Sequence, residues 1–598
     1  MTVFVRRMLS VMYLSLMRYI YFAIHLLHKC RSFLAHKFVK TLLNAAVQRV
    51  KSHLEKTSRE IYWKELKHNG IYVPEPYLAK GIPLIIDDKK VMLDSEGELM
   101  ALSFAGKIDK YINDDVFVKN FERDFKKKLP ATVRNYSVRQ MDFTEFKNEI
   151  EKQKTERKNM SKDQKRAIKE TNLKLKEKYG YAELDGMRVP LSMWKVEVPG
   201  IFIGRGNHPL RGRWKSPITQ SDIVLNLSKN ATAPQGKWKA IVHRPDVLWV
   251  AYWQDKLTGK EKYVWFHESV DLMQERNREK YNLALELGKS IDRVRKHIMK
   301  DMKSRDPTIR KTATVAFLID SLCMRVGDEK EKDEADTVGA TTLRKEHVNI
   351  LENEIKFKFL GKDSVLWEKT LSNPPELFLE NLRYFTLKSK SGQIFEGINS
   401  RIVNRYLGSI VKGLTAKVFR TYHGTLTYFN YLNHVNIQEI KYPEEALYHI
   451  KIANLMTAMR LNHKRTPPIT YESSLKKKEE RLRYILENPP KKITDSYKRR
   501  VKRAEIQVKL AKLIKDYNLN TSMKNYIDPR ISVTWANRVN LPLEKVYSAT
   551  LIKKFDWAKK SRIKWDTLEE LLNPATGIIP AGEPTIDIEL SLIEKNNS

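Results

Sequence analysis

Ile355–Lys356–Phe357–Lys358–Phe359–Leu360 sets apolar and basic side chains on alternating positions, and Gly361–Lys362–Asp363 then interrupts the pattern. Alternation of this kind predicts a half-buried strand. Ser364–Thr370 reads as its return partner. The hairpin stands out because its surroundings read as helix. Residues 272–303 predict one long helix, and a second follows Pro307 and is expected to end near Gly327. After the hairpin the chain is mostly helical to about residue 465. A small sheet inside a helical lobe, in a chain of 598 residues, points to an α+β multidomain fold.

Further out the texture changes twice. Residues 472–518 are dense in Lys, Arg and Glu, and Pro489–Pro490 divides them. Leu475, Leu482 and Ile485 recur at helical spacing in the first half, as do Ile506, Leu510, Leu513 and Tyr517 in the second. That predicts an antiparallel helical hairpin with a narrow apolar seam, a protruding linker. Residues 521–560 regain a compact, aromatic composition, and the tail from about 570 reads as loosely ordered. Upstream, residues 195–266 read as β-rich, with Ile223–Leu227, Val247–Trp253 and Lys262–Phe266 as short strands. Residues 155–180 predict a solvated helix, with Ser161 and Gln164 as its capping box.

Lys and Arg number 110 against 72 Asp and Glu, a net charge of +38. Such an excess calls for a polyanionic partner, nucleic acid first and an anionic membrane surface second. Two cysteines, Cys30 and Cys323, exclude a disulfide framework and a zinc finger. No Asp or Glu precedes Glu55, while basic and apolar residues interleave from Phe4 onward. This is the pattern of a mitochondrial-type presequence. A membrane anchor over residues 9–27 or a basic arm are the other readings, and Arg18 near the centre of 9–27 opposes the anchor.

Nucleotide and metal engines are not evident. Gly288–Lys289–Ser290 lacks the upstream glycine of a phosphate-binding loop and lies within a helical run. There is no HExxH, and Lys330 and Lys332 interleave with the carboxylates of Asp328–Asp336, which reads as surface charge. Phosphodiester chemistry without a metal needs fixed cations for the pentacoordinate transition state, for which arginine is best suited. It needs a proton donor for the leaving oxygen, such as a lysine in a cationic site, and a nucleophile whose bond to phosphorus is reversible, such as a tyrosine.

Five segments carry these residue types in order. They are Met324–Arg325–Val326–Gly327–Asp328–Glu329–Lys330, Phe359–Leu360–Gly361–Lys362–Asp363–Ser364, Gly413–Leu414–Thr415–Ala416–Lys417–Val418–Phe419–Arg420–Thr421–Tyr422, Asn462–His463–Lys464–Arg465, and Lys524–Asn525–Tyr526–Ile527–Asp528–Pro529–Arg530. Over about residues 62–562 the chain strongly resembles eukaryotic DNA topoisomerase IB. The resemblance implies catalytic Arg325 and Arg420, general acid Lys362, His463 bonded to a nonbridging phosphate oxygen, and nucleophile Tyr526.

It also implies a two-lobed clamp on duplex DNA. A DNA-binding cap lobe would span 62–267 and a tyrosine-recombinase-like catalytic lobe 268–466. A helical-hairpin linker at 467–520, a C-terminal segment at 521–562 carrying Tyr526, an N-terminal extension at 1–61 and a variable tail at 563–598 complete it. Gly204–Arg205–Gly206–Asn207–His208–Pro209 resembles a family motif on the cap lobe, with Arg211, Arg213 and Lys215 standing in for a more basic segment. Arg205, Asn207, His208, Arg211, Arg213, Lys215, Asp363, Lys417, Thr421 and Asn525 are the expected DNA contacts. Relatives use the counterparts of Arg205, Asp363 and Asn525 for camptothecin-type inhibitors, whereas Lys524 replaces a hydrophobic residue there.

The implied activity is relaxation of supercoiled DNA without ATP, cofactor or obligatory metal. The implied protein is monomeric, binds duplex phosphates and stays off membranes. It is nuclear, with the mitochondrion as the alternative that the acid-free N-terminus raises. Two rivals are a tyrosine recombinase, whose pattern has histidine where Lys417 stands, and a nonenzymatic DNA-binding scaffold.

Overall fold

The computed structural model describes residues 61–329 and 334–572. The presequence, anchor and basic-arm readings of the N-terminus, Lys330–Asp333 of the acidic run, and the chain beyond 572 lie outside those residues. Helix and small sheets are mixed throughout, as an α+β multidomain chain requires. Among the described residues, no helix is long and apolar enough to cross a membrane.

The first part of the chain holds two apolar cores. One is built from Phe104, Phe117, Phe121, Phe125 and Phe146, on helices α1 (Ser95–Ala105), α2 (Asp115–Phe125) and α3 (Thr144–Asn159). The other lies under a sheet of β1 (Leu66–His68), β2 (Tyr181–Leu184) and β3 (Met187–Pro190), and a second sheet of β4 (Ile223–Asn226), β5 (Ala240–Val242), β6 (Trp249–Gln254) and β7 (Glu261–Trp265). The second sheet runs in the order β5-β4-β6-β7. The helix expected over 155–180 is two helices. Met160 leaves the helical conformation after α3, and Ser161 then caps α4 (Lys162–Tyr179) in the predicted box with Gln164. The capping signal outweighed the unbroken charge pattern, since a cap satisfies amides that a helix start leaves unpaired.

The second part centres on α5 (Asp271–Asp301) and α6 (Pro307–Leu322), with α7 (Glu376–Lys388) and α8 (Ser400–Ile410) around them. Asp306 accepts from Thr308 and Ile309 amides and so starts α6, with Pro307 at its first turn. The helix ends at Leu322, earlier than expected, because Cys323 turns left-handed at φ 53°. Gly327 is therefore no helix cap. At φ 81° it lies against Gly339, so closely that a Cβ on it would come within 2.8 Å of the Gly339 Cα. The predicted strands are β9 (Glu354–Gly361) and β10 (Val365–Ser372), with β8 (Val348–Ile350) on the outer edge of β9. Ile355, Phe357 and Phe359 point inward, and Gly361 pairs with Val365 across the turn.

α9 (Ala416–Asn433) and α10 (Pro443–Arg460) pack together against α5. The hairpin expected over residues 472–518 is α11 (Tyr471–Glu487) and α12 (Asp495–Leu513), antiparallel as predicted, since the Tyr497 hydroxyl donates to the Ile485 carbonyl and Lys512 reaches Glu479. It does not protrude along its whole length. Arg499 and Arg503 both grip Glu444 on α10, and Leu510 is buried in the core that α10 lines. The chain then enters α13 (Leu519–Asn525) and α14 (Pro529–Arg538). Compact structure continues beyond the expected edge at 562. Helix α15 (Trp565–Leu572) buries Trp565, Leu568 and Leu572 in the same core, with Trp565 stacked on Phe429.

The two parts also meet away from the chain connection. Arg205 pairs with Asp363 at 2.5 Å, the Ser364 hydroxyl donates to the Arg205 carbonyl, and Lys260 pairs with Glu334. Gly206, at φ 56°, leaves no room for a Cβ beside Ser364.

Candidate active site

Five elements bring the five expected residues to one cleft and its wall. Arg325 follows the left-handed turn that ends α6, Lys362 sits in the β9–β10 turn, Arg420 lies in the first half of α9, and His463 follows α10. Their side chains line the cleft with Asn462, Lys464 and Thr521. Tyr526, at the end of α13, is buried behind this lining.

Tyr526 is held by cations on two sides. Arg325 Nη1 donates to its hydroxyl at 3.2 Å, and the Arg420 guanidinium lies 5.1 Å from its ring centre. The His463 ring is also 5.1 Å away. Burial alone would push the phenol pKa up. The Arg420 and Arg325 charges outweigh it and bring it down to about 8.

Arg420 is 3% exposed. It donates to the carbonyls of Cys323 and Leu461, and lies 3.3 Å from His463 Nε2. Burial, then the Arg420 and Arg325 charges, depress the His463 pKa to about 2, so its ring is neutral at physiological pH. Among the described residues, neither Arg325 nor Arg420 has a carboxylate partner. The site is a buried pocket of positive charge around a phenol, suited to an oxyanion.

The expected DNA contacts divide. Arg205, Asn207, Asp363 and Lys417 are exposed, though Arg205 and Asp363 are paired with each other. His208 is half-buried, with Nδ1 accepting from the Leu210 amide. Asn525 is half-buried and donates to the Thr521 carbonyl. Arg211, Arg213 and Lys215 are not free for phosphates. Arg211 pairs with Asp114 at 2.7 Å, Arg213 with Asp124 at 2.6 Å, and Lys215 with Glu197 and Asp255 at 2.5 and 2.9 Å. Their charges offset carboxylates that would otherwise be partly buried alone. Thr421 is buried too, and its hydroxyl turns back to the Lys417 carbonyl, as helical threonines do.

Comparison with known proteins gives the same picture along the chain. The family described as eukaryotic DNA topoisomerase I, catalytic core, matches residues 269–495. Its DNA binding fragment matches 61–266, and the C-terminal topoisomerase domain matches 498–567. DNA topoisomerase 1 of Homo sapiens is 34% identical over 554 residues, covering 84% of this chain and 72% of that protein. The Rattus norvegicus protein of the same name is 33% identical, with 84% and 71% covered. DNA topoisomerase 1 beta of Arabidopsis thaliana is 34% identical, with 83% and 58% covered.

The chain belongs to the eukaryotic DNA topoisomerase I family.

Around this topoisomerase site stand residues that the sequence did not single out. Lys280 on α5 donates to the Asn525 carbonyl, and burial, with the Lys417 and Lys554 charges, lowers its pKa to about 7. Thr425 Oγ1 donates to the Tyr526 carbonyl at 3.1 Å and accepts from the Asp528 amide at 3.2 Å. Gly424 lets α9 approach the nucleophile, since a Cβ there would lie 3.1 Å from the Tyr526 carbonyl oxygen. Ser522 bonds the other ring nitrogen of His463. A glycine inside a helix was a possible signal for the close approach. The others are common residue types with no distinguishing pattern. No group of three or more His, Cys, Asp or Glu among the described residues could hold a metal.

Proposed function

We propose that this protein is a type IB DNA topoisomerase that relaxes supercoiled DNA through transient cleavage of one strand. Tyr526 gives its phenolic proton to solvent, attacks the scissile phosphate as the phenolate and forms a 3′-phosphotyrosyl bond as the 5′ oxygen leaves. Arg325 and Arg420 take the charge that develops on the nonbridging oxygens, and His463 donates to one of them. Lys362, at the tip of a β-hairpin, protonates the leaving oxygen. Torsional strain turns the free duplex end, after which the 5′-hydroxyl attacks the phosphotyrosine and reseals the strand. Bond energy is conserved in the phosphotyrosine, so the cycle requires no ATP, and the fixed cations supply the charge stabilisation that a metal would.

One observation carries this reading. The Tyr526 hydroxyl lies 3.2 Å from Arg325, with Arg420 over its ring and no competing carboxylate among the described residues. Charge of that sign stabilises phenolate and pentacoordinate phosphate alike.

The finer architecture belongs to the same proposal. A cap lobe at 62–267 and a tyrosine-recombinase-like catalytic lobe at 268–466 close on the duplex. The contacts Arg205–Asp363 and Lys260–Glu334 are the places where the lobes part to admit it. Residues 467–520 act as linker, and the C-terminal segment from 521 delivers Tyr526. Arg205, Asn207, His208, Asp363, Lys417 and Asn525 face the duplex. Binding is mainly to phosphates, so affinity falls steeply with salt and depends little on sequence. The enzyme works as a monomer, away from membranes, in the nucleus. The mitochondrial alternative rests on residues 1–54 alone, and the relatives add nothing in its favour.

Negatively supercoiled plasmid, incubated with the protein in EDTA without ATP, is the test. Relaxation by the wild type and none by Tyr526→Phe is expected. No relaxation by folded, DNA-binding wild type would leave the scaffold reading, and recombination between defined sites would favour the recombinase.

A further inference from the structure

His463 has two ring contacts that fix its proton. A guanidinium can only donate, so Arg420 Nη2 at 3.3 Å makes Nε2 an acceptor. The ring proton then sits on Nδ1, 2.9 Å from the Ser522 hydroxyl oxygen, which accepts it. This is the wrong tautomer for the proposed reaction. To donate to a phosphate oxygen, neutral His463 needs its proton on Nε2, which leaves Nδ1 bare in a buried place. A bare buried nitrogen requires a donor.

We infer that Ser522 is a positioning residue that lets His463 exchange tautomers as phosphate enters. A hydroxyl is both donor and acceptor and rotates to suit. It accepts from Nδ1–H while Arg420 holds Nε2, and donates to Nδ1 once Nε2–H is turned to the phosphate. The imidazole loses one proton at Nδ1 and gains one at Nε2 by exchange with water, so its charge does not change. A carboxylate at this place could only accept, and would hold the tautomer that cannot donate from Nε2.

The local fold supports the role. Ser522 is fully buried, four residues before Tyr526 on α13. Its carbonyl accepts from the Tyr526 amide at 2.8 Å and the Ile527 amide at 3.2 Å. The His463 carbonyl accepts from the Asn518 amide at 2.7 Å, at the start of the same helix. Histidine and nucleophile are therefore held by one short helix, and the hydroxyl is the part of that bracket that can change direction.

The inference rests on the reading of His463 as a phosphate ligand. The test is single-turnover strand cleavage, with melting temperature measured alongside, for wild type, Ser522→Ala, His463→Ala and the double variant. Ser522→Ala is expected to slow cleavage roughly tenfold with intact His463. It should change the rate less than about twofold in the His463→Ala background, because a residue acting through another has nothing left to act on. Ser522→Cys, which puts a slightly larger and poorer hydrogen-bonding group in the same place, should fall between wild type and Ser522→Ala. Equal slowing by Ser522→Ala in both backgrounds, or wild-type cleavage by Ser522→Ala alone, would overturn the role of Ser522 and leave the active site standing. Wild-type cleavage by His463→Ala would remove His463 from the site reading itself, and Ser522 with it.

Discussion

Arg325 and Arg420 differ from Arg211 and Arg213 in one respect that decides their use. The first pair meets a phenol, backbone carbonyls and an imidazole. The second pair meets Asp114 and Asp124. All four add equally to the net charge of +38. Only the first two have charge left for a phosphate. The comparison separates the cations that hold this molecule together from those that act on its substrate. An excess of Lys and Arg predicts a polyanionic partner without saying which side chains meet it.

The sharpest way to break the comparison is to remove one arginine of each kind. Arg420→Ala is expected to lower the single-turnover cleavage rate about 10³-fold, as the loss of a preorganised oxyanion donor does. Near wild-type cleavage would end its catalytic role. A second effect follows from the phenol. With a Tyr526 pKa brought down to about 8, cleavage should rise about tenfold per pH unit below that value and level off above it. The inflection should move to higher pH in Arg325→Lys, whose shorter side chain loses the hydrogen bond to the hydroxyl. A pH-independent rate would mean that phenol ionisation does not limit the step.

Arg213→Ala should act differently. It leaves Asp124 with only the Trp214 amide among the described residues, and the expected cost is roughly 1–3 kcal/mol of stability, read from denaturant unfolding. Cleavage per folded molecule should stay within about threefold of wild type. A large fall in DNA affinity with unchanged stability would instead restore Arg213 as a phosphate contact.

The smallest effect tests burial rather than catalysis. Burial lowers the His68 pKa to about 4, and burial with two arginines lowers that of His463 to about 2. Both rings stay neutral when folded, while unfolded histidine takes up a proton below its ordinary 6.5. Stability is therefore lost as pH falls below about 6.5, by ~1–2 kcal/mol per ring near pH 5.5. His68→Asn should flatten part of that slope in melting curves, and an unchanged slope would mean that this ring is not the source.

Much of the fold could be read from the sequence because local signals carried it. Alternation gave β9, Ser161 gave the start of α4, and the seam of Leu475, Leu482 and Ile485 gave the linker. The ends were harder. Gly327 looked like a helix cap but serves a contact with Gly339, twelve residues on, and α15 was missed because its apolar face is short. The five catalytic candidates were legible as a set, since their order and flanking residues recur in a known family. What stayed hidden was pairing across the chain. Arg211 and Asp114 are 97 positions apart, Arg213 and Asp124 89, and His463 and Ser522 59. A hydroxyl four residues before a tyrosine carries no mark in sequence of the ring it serves.

The proposed cycle requires the buried Tyr526 phenol, held by arginines with no carboxylate partner among the described residues, to take up the DNA strand. Denaturing the enzyme in SDS during turnover on a duplex labelled at either side of the nick tests it most directly. A protein adduct is expected on the 3′ end of the broken strand, with the nucleotide carried by the peptide that contains Tyr526. An adduct on the 5′ end, or on another residue, would contradict it.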